Sequence, residues 1–315
     1  MSTALEIILP VFGLILTGWL LARIRLLSAD GVKGLTTFVF YVAIPALLFR
    51  NLSHGQAVDA GDLAILIAYF AGSLTVFAGA ALLLGRTFRL RPAERVVLGM
   101  GSAFSNNVQL GIPIVLAGFG SEGLVLLMLI ISVHSIVMIG LPTVLIEIAQ
   151  GQGERAGTVL RTTLLALLRN PVIVGLAVGV AWGMLGLPVP LLLDRFTGLV
   201  GQAAVPCSLF AMGASLAGYR LAGALNEAAI MAALKLLLHP LLVWLVASQL
   251  LQLPPLQIAV ATVAASLPIG INVFIIAQNY NAYPNRATSA TLISTAASVL
   301  TVGLLVAHFR GVLGG

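Results

Sequence analysis

The chain has 315 residues, 60% of them hydrophobic and 8% charged, with a mean hydropathy of +1.10 and a formal net charge of +6. A water-soluble domain carries about 25% charged residues because its outside must be solvated, so lipid must be part of this chain's solvent. The basic residues are scattered through short polar breaks, never interleaved with aromatics in a run, which excludes nucleic acid as a partner.

In chain order, apolar runs bounded by charged or turn-forming clusters predict transmembrane helices at 3–22, 34–52, 62–85, 95–118, 122–149, 168–186, 196–218, 226–251, 256–279 and 286–309. The first run lacks the basic start and cleavage site of a signal peptide and reads as a retained helix. Gly118-Phe119-Gly120-Ser121-Glu122-Gly123 matches a dinucleotide fingerprint only in form; with no strand before it, it reads as a turn between two spans. The single cysteine, Cys207, lies in an apolar run and reads as a packing residue. Of the 16 Lys and Arg residues, only Arg50, Arg195 and Arg310 fall on one side of this alternation. Lys235 lies inside a span, and the rest crowd the other side. The positive-inside rule then puts both termini outside and the 151–167 loop in the cytoplasm of a bacterial inner-membrane protein.

The chain also repeats itself. Pro10-Val11 with Gly18 returns as Pro171-Val172 with Gly179, and Ala43-Ile44-Pro45 with Phe49 returns as Ala204-Val205-Pro206 with Phe210. Gly111-Ile112-Pro113 in the fourth span corresponds to Gly270-Ile271-Asn272 in the ninth. A unit with an odd number of helices places its second copy upside down, so residues 1–150 and 168–315 read as a five-plus-five inverted repeat. Inverted repeats recur in secondary transporters because two near-equivalent halves can open to either side in turn.

Polar residues gather in two corresponding spans. The fourth contains Ser105-Asn106-Asn107-Val108-Gln109-Leu110-Gly111-Ile112-Pro113, and the ninth Ser266-Leu267-Pro268-Ile269-Gly270-Ile271-Asn272. Proline removes a backbone donor and glycine permits an interrupted helix, so breaks are expected at Gly111–Pro113 and at Pro268–Asn272. Freed peptide groups in a membrane must line a cavity or meet protein partners. Each break would expose a helix N-terminus that attracts an anion, with Asn106, Asn107, Gln109, Ser266 and Asn272 adding neutral hydrogen bonds. The bland alternative is two proline-kinked packing helices whose amides bond across the bundle.

These motifs, together with Ala43-Ile44-Pro45-Ala46-Leu47, Lys235-Leu236-Leu237-Leu238-His239-Pro240 and Gln278-Asn279-Tyr280, resemble the auxin efflux carrier family of bacterial malonate-type permeases and plant auxin exporters. The resemblance runs over the whole chain. It implies ten all-α transmembrane helices with the fourth and ninth crossing, external termini and transport of organic anions. The plant carriers have a second proline where this chain has Asn272-Val273, so unwinding of the ninth span rests on Pro268 and Gly270.

Lys235, well inside the eighth span, costs about 2.5–3.5 kcal/mol to insert and is a candidate to balance an anionic substrate; otherwise it snorkels to the interface. His134 and His239 are candidate proton relays, against a reading as satisfied packing residues. No Asp or Glu falls at mid-span, and there is no phosphate-binding loop, His-Glu-x-x-His or Gly-x-Ser-x-Gly motif, so an enzyme and a need for cofactor or metal are not expected. The expected partners are a small organic anion, the lipid bilayer and, in a homodimer, a second copy of the chain. A sodium-coupled bile-acid-type symporter and a ligand sensor that transports nothing are the competing readings.

Overall fold

The structure is a computed structural model that describes residues 2–54, 60–151, 157, 161, 165, 168–218, 221, 223 and 225–314. Arg155, Arg220, Gly315 and most of the expected 151–167 loop lie outside the described residues.

Every named element is helical: α1 (Ser2–Arg23), α2 (Ala29–Ser53), α3 (Gly61–Thr87), α4 (Pro92–Ala103), α5 (Asn107–Ala149), α6 (Pro171–Met184), α7 (Leu191–Leu216), α8 (Leu225–Leu250), α9 (Pro255–Ser266), α10 (Asn272–Asn279) and α11 (Pro284–Leu313). Six of these, α2, α3, α5, α7, α8 and α11, are long and apolar enough to cross a membrane. Helices are the expected answer, because a backbone in hydrocarbon must satisfy its own hydrogen bonds.

The 43 residues of α5 would reach about 65 Å at 1.5 Å per residue, twice the roughly 30 Å of a hydrocarbon core. Gly120 resolves this. Its φ of 67° and ψ of −162° interrupt the helix and split it into two legs. That backbone region is open only to glycine, so the break in α5 falls at Gly120, inside the Gly118–Gly123 run that the sequence marks as a turn.

Four π turns, Val39–Ala43, Asn107–Gly111, Ile136–Gly140 and Leu234–Leu238, each end two residues before a proline, namely Pro45, Pro113, Pro142 and Pro240. A helical proline lacks the N–H and collides with the carbonyl four residues back. Widening one turn moves that carbonyl aside, so the helices run on through these prolines without ending.

The helices fall into two groups. α1, α2, α6 and α7 pack chiefly on one another, and α3, α4, α5, α8, α9 and α11 form the second group with α10 against α11. Close backbone approach at small residues, the usual adhesive between helices in lipid, holds the first group. A Cβ on Gly18 would lie 2.0 Å from the Phe210 carbonyl oxygen, and one on Gly213 would lie 1.8 Å from that of Ile15. Between α6 and α2, a Cβ on Gly175 would lie 2.7 Å from Pro45 Cα, and one on Gly179 would lie 3.0 Å from Phe49 Cα.

Polar contacts tie helix ends together at two levels. Arg50 Nε donates to Asp194 Oδ1 at 3.0 Å, and Gln257 Nε2 donates to Asp62 Oδ1 at 2.9 Å. Elsewhere Arg286 pairs with Glu227 at 2.7 Å, and the Tyr280 hydroxyl donates to Glu147 Oε1 at 2.7 Å. Burial, with the Glu147 carboxylate beside it, pushes the Tyr280 phenol up to about 12, so it remains a donor at neutral pH.

Candidate functional site

α4 ends at Ala103, and Phe104 continues extended with φ −78° and ψ 113°. α9 ends at Ser266, and Leu267 is likewise extended with φ −60° and ψ 151°. The two extended segments meet antiparallel at Ser105 and Ile269. Asn106 N–H donates to the Pro268 carbonyl at 3.0 Å and Gly270 N–H to the Phe104 carbonyl at 3.2 Å, while Ile269 N–H finds Ser294 Oγ at 3.1 Å. Each break thus supplies the hydrogen bonds that the other lost. Pro268 suits this place because it brings a carbonyl and no N–H to satisfy. Gly270 suits it because a Cβ there would lie 2.5 Å from the Phe104 ring.

The interruption of the fourth span therefore lies at Phe104–Asn106, not at Gly111–Pro113 as the sequence suggests. Pro113 sits inside the helix that follows, where the π turn absorbs it. Gly111 is needed for proximity, since a Cβ on it would lie 2.9 Å from Leu267 Cδ1 across the crossing. Pro113→Ala should accordingly leave function within about threefold of the parent, because the crossing does not depend on that ring. A tenfold loss would show that it does.

Beyond the crossing the chain re-enters helix twice, at α5 and α10, and both first turns face one cavity of about 420 Å3. Asn106, Asn107, Val108 and Gln109 line it from α5, and Gly270, Ile271 and Asn272 from α10. Phe40, Ile131, His134, Ser135, Ile139 and Asn170 complete the wall. Asn106 caps α5, its side-chain oxygen accepting from Gln109 N–H at 3.3 Å. No Lys, Arg, Asp or Glu is among the lining residues. Asn107 Oδ1 is buried without a hydrogen-bond partner, and both ring nitrogens of His134 are buried without a well-formed one, the Ser105 backbone lying beside the ring. The cavity thus joins two positive helix ends to neutral polar groups that await a ligand or water.

Residues 3–306 match the family model described as "Membrane transport protein". The chain is 31% identical to a Rhizobium meliloti (strain 1021) protein named "Putative malonate transporter", over 99% of this chain and 98% of that one. It is 25% identical to an "Uncharacterized transporter" of Methanothermobacter thermautotrophicus, covering 95% and 96% of the two chains. It is also 25% identical to the mouse "Lysosomal cholesterol signaling protein", over 67% of this chain and 26% of that one. The chain belongs to the auxin efflux carrier family of membrane transport proteins.

In this transporter, six of the residues singled out in the sequence meet at the cavity: Asn106, Asn107, Gln109, Gly270, Asn272 and His134. Gly111, Ser266 and Pro268 stand behind it as parts of the crossing, and Pro113 lies within α5 beyond it. Lys235 is fully buried, so it does not snorkel. Its ammonium donates to the Ala265 and Leu267 carbonyls, the latter at 2.6 Å. These are orphaned groups at the negative C-terminal end of α9, so in this structure the lysine caps a half-helix and does not line the cavity. His239 is also buried, with Nε2 2.8 Å from Ser73 Oγ.

Two contributors were not singled out. Tyr69 accepts from Asn107 Nδ2 at 3.1 Å; a lone phenol mid-way through an apolar span was its only signal. Asn170 caps α6 by accepting from Val172 N–H at 2.9 Å. The Asn170-Pro171 pair, a helix-start signature, could have found it.

Proposed function

We propose that this transporter carries a small carboxylate across the bilayer by alternating access, holding it in the cavity at the N-terminal ends of α5 and α10. The observation that carries the reading is the convergence of two half-helix N-termini on one polar cavity without fixed charge. Each end contributes about 0.3–1 kcal/mol when exposed and up to about 2 when partly buried. With the lining amides, that reaches the roughly 4 kcal/mol of a millimolar complex, which suits cargo that must also leave. The name of the Rhizobium relative supports a carboxylate.

The same reading takes the chain as ten spans in a five-plus-five inverted repeat. α4 with the first leg of α5 makes the fourth span, and α9 with α10 the ninth. Crosswise packing supports it. Gly18 meets Phe210 and Gly179 meets Phe49, and in the repeat Gly18 corresponds to Gly179 and Phe49 to Phe210. The division into two helix groups supplies bodies that could rock against each other. The ion pairs and hydrogen bonds between helix ends join ends that the ten-span alternation assigns to one side: Arg50 with Asp194, Asp62 with Gln257, Glu147 with Tyr280, and Glu227 with Arg286.

Counterflow in proteoliposomes tests the function. Vesicles preloaded with unlabelled malonate should accumulate labelled malonate transiently, and other short mono- and dicarboxylates should compete to differing extents. Binding without counterflow would make the chain a sensor. For orientation, a reporter active only outside the inner membrane should be active when fused after Gly315 and inactive when fused within 151–157; the reverse would overturn the sidedness and the inverted repeat with it.

A further inference from the structure

His134 is the one titratable ring in the cavity wall, and the anion site leaves it unexplained. It is buried in α5, tilted at 4.7 Å from Phe104 and edge-on at 5.7 Å from Tyr69; neither nitrogen makes a well-formed hydrogen bond, the backbone of Ser105 being the neighbour it can interact with. A buried polar group with hydrogen-bonding capacity left over is costly, so the ring is placed to meet something that enters the cavity it lines. The titratable and charged groups around it are Tyr69 from α3 and Lys235 and His239 from α8. No carboxylate lies in the cavity wall.

The chemistry of the pair then follows from donors and acceptors. A carboxylate only accepts hydrogen bonds, whereas a neutral imidazole offers one donor and one lone pair. Facing an anion, the lone pair is repelled; the protonated ring presents donors at both nitrogens and meets its only counter-charge. Proton and anion therefore stabilise each other in the cavity, and by linkage each raises the other's affinity by the same factor. Resting on the carboxylate-carrier reading, we propose that His134 takes one proton from solvent with each anion and releases it with the anion on the opposite side, making the transporter a proton symporter.

The test uses the full chain in weakly buffered detergent with a pH-sensitive dye and malonate as the probe. The wild type should take up about one proton per malonate bound, and at constant malonate its affinity should rise as pH falls. His134→Gln should still bind malonate with no proton uptake from the ring. If that variant folds poorly, proteoliposomes of the wild type serve instead: an inward acid gradient at clamped membrane potential should drive malonate accumulation that a protonophore abolishes. Malonate counterflow with no proton uptake and no response to the gradient overturns the symport and leaves the carrier standing. A His134→Gln protein that still takes up a full proton puts the proton elsewhere and also overturns it. A chain that neither binds nor exchanges malonate removes the carrier reading and the symport together.

Discussion

Lys235→Ala should lower malonate counterflow at least tenfold, with stability in detergent falling by about 2–4 kcal/mol. The ammonium is the donor that closes the C-terminal end of α9, through the carbonyls of Ala265 and Leu267. A hydrogen bond to a charged group is worth about 1.5–3 kcal/mol, and a buried acceptor left bare costs a further fraction of that. Relief from burying the charge offsets part of the loss, but alanine also leaves a void where a fully buried lysine stood. The damage falls on the segment that pairs with Phe104–Asn106, so the cavity loses its shape as well as its support. Lys235→Arg keeps donors at this end and should be milder, with counterflow between the parent and the alanine variant. Rates per inserted molecule and melting temperatures check this; an alanine variant with parental rates would show that the crossing holds without its cap.

Gly18→Leu should be the most damaging change in the first helix group. The first atom added would already lie 2.0 Å from the Phe210 carbonyl oxygen and 2.9 Å from its carbon. These are backbone atoms that cannot swing away, so α1 and α7 must separate. Overpacking typically costs about 1–3 kcal/mol where side chains can adjust, and here they are not what blocks the space. Gly13→Leu is the control on the same helix, since a Cβ there meets nothing within 4 Å and the position is exposed. Monodisperse protein recovered from membranes should drop several-fold for Gly18→Leu and stay unchanged for Gly13→Leu. Equal recovery of the two would mean that α1 does not seat on α7 as described.

The membrane class was legible because composition alone rules out an aqueous surface, and the interruption at Gly120 because a backbone open only to glycine leaves a glycine in the sequence. Close packing at Gly175 and Gly179 was also readable from small residues one helical turn apart. The site of the fourth-span break was not. Proline marks a local cost, but the π turn at Asn107–Gly111 absorbs that cost around Pro113, whereas the real interruption at Phe104–Asn106 is stabilised by Pro268 and Gly270, far away in the chain. Likewise, the oddity of a lysine within a span was visible in the sequence, yet its partners are backbone carbonyls, which every residue has and no sequence pattern marks.

The central claim is that an anion sits where α5 and α10 begin, and Asn272 is the place to test it. It is the first residue of α10 and lines the cavity. Asn272→Asp is nearly isosteric but adds a negative charge beside the proposed carboxylate position. Asn272→Ala removes only a neutral side chain, worth about 0.5–1.5 kcal/mol if it bonds the ligand. Malonate affinity should therefore fall by roughly threefold to tenfold for the alanine variant, and by at least a further tenfold for the aspartate, with both proteins folded. Equal affinities for Asn272→Asp and the parent would put the anion elsewhere and leave the two polar clusters as packing.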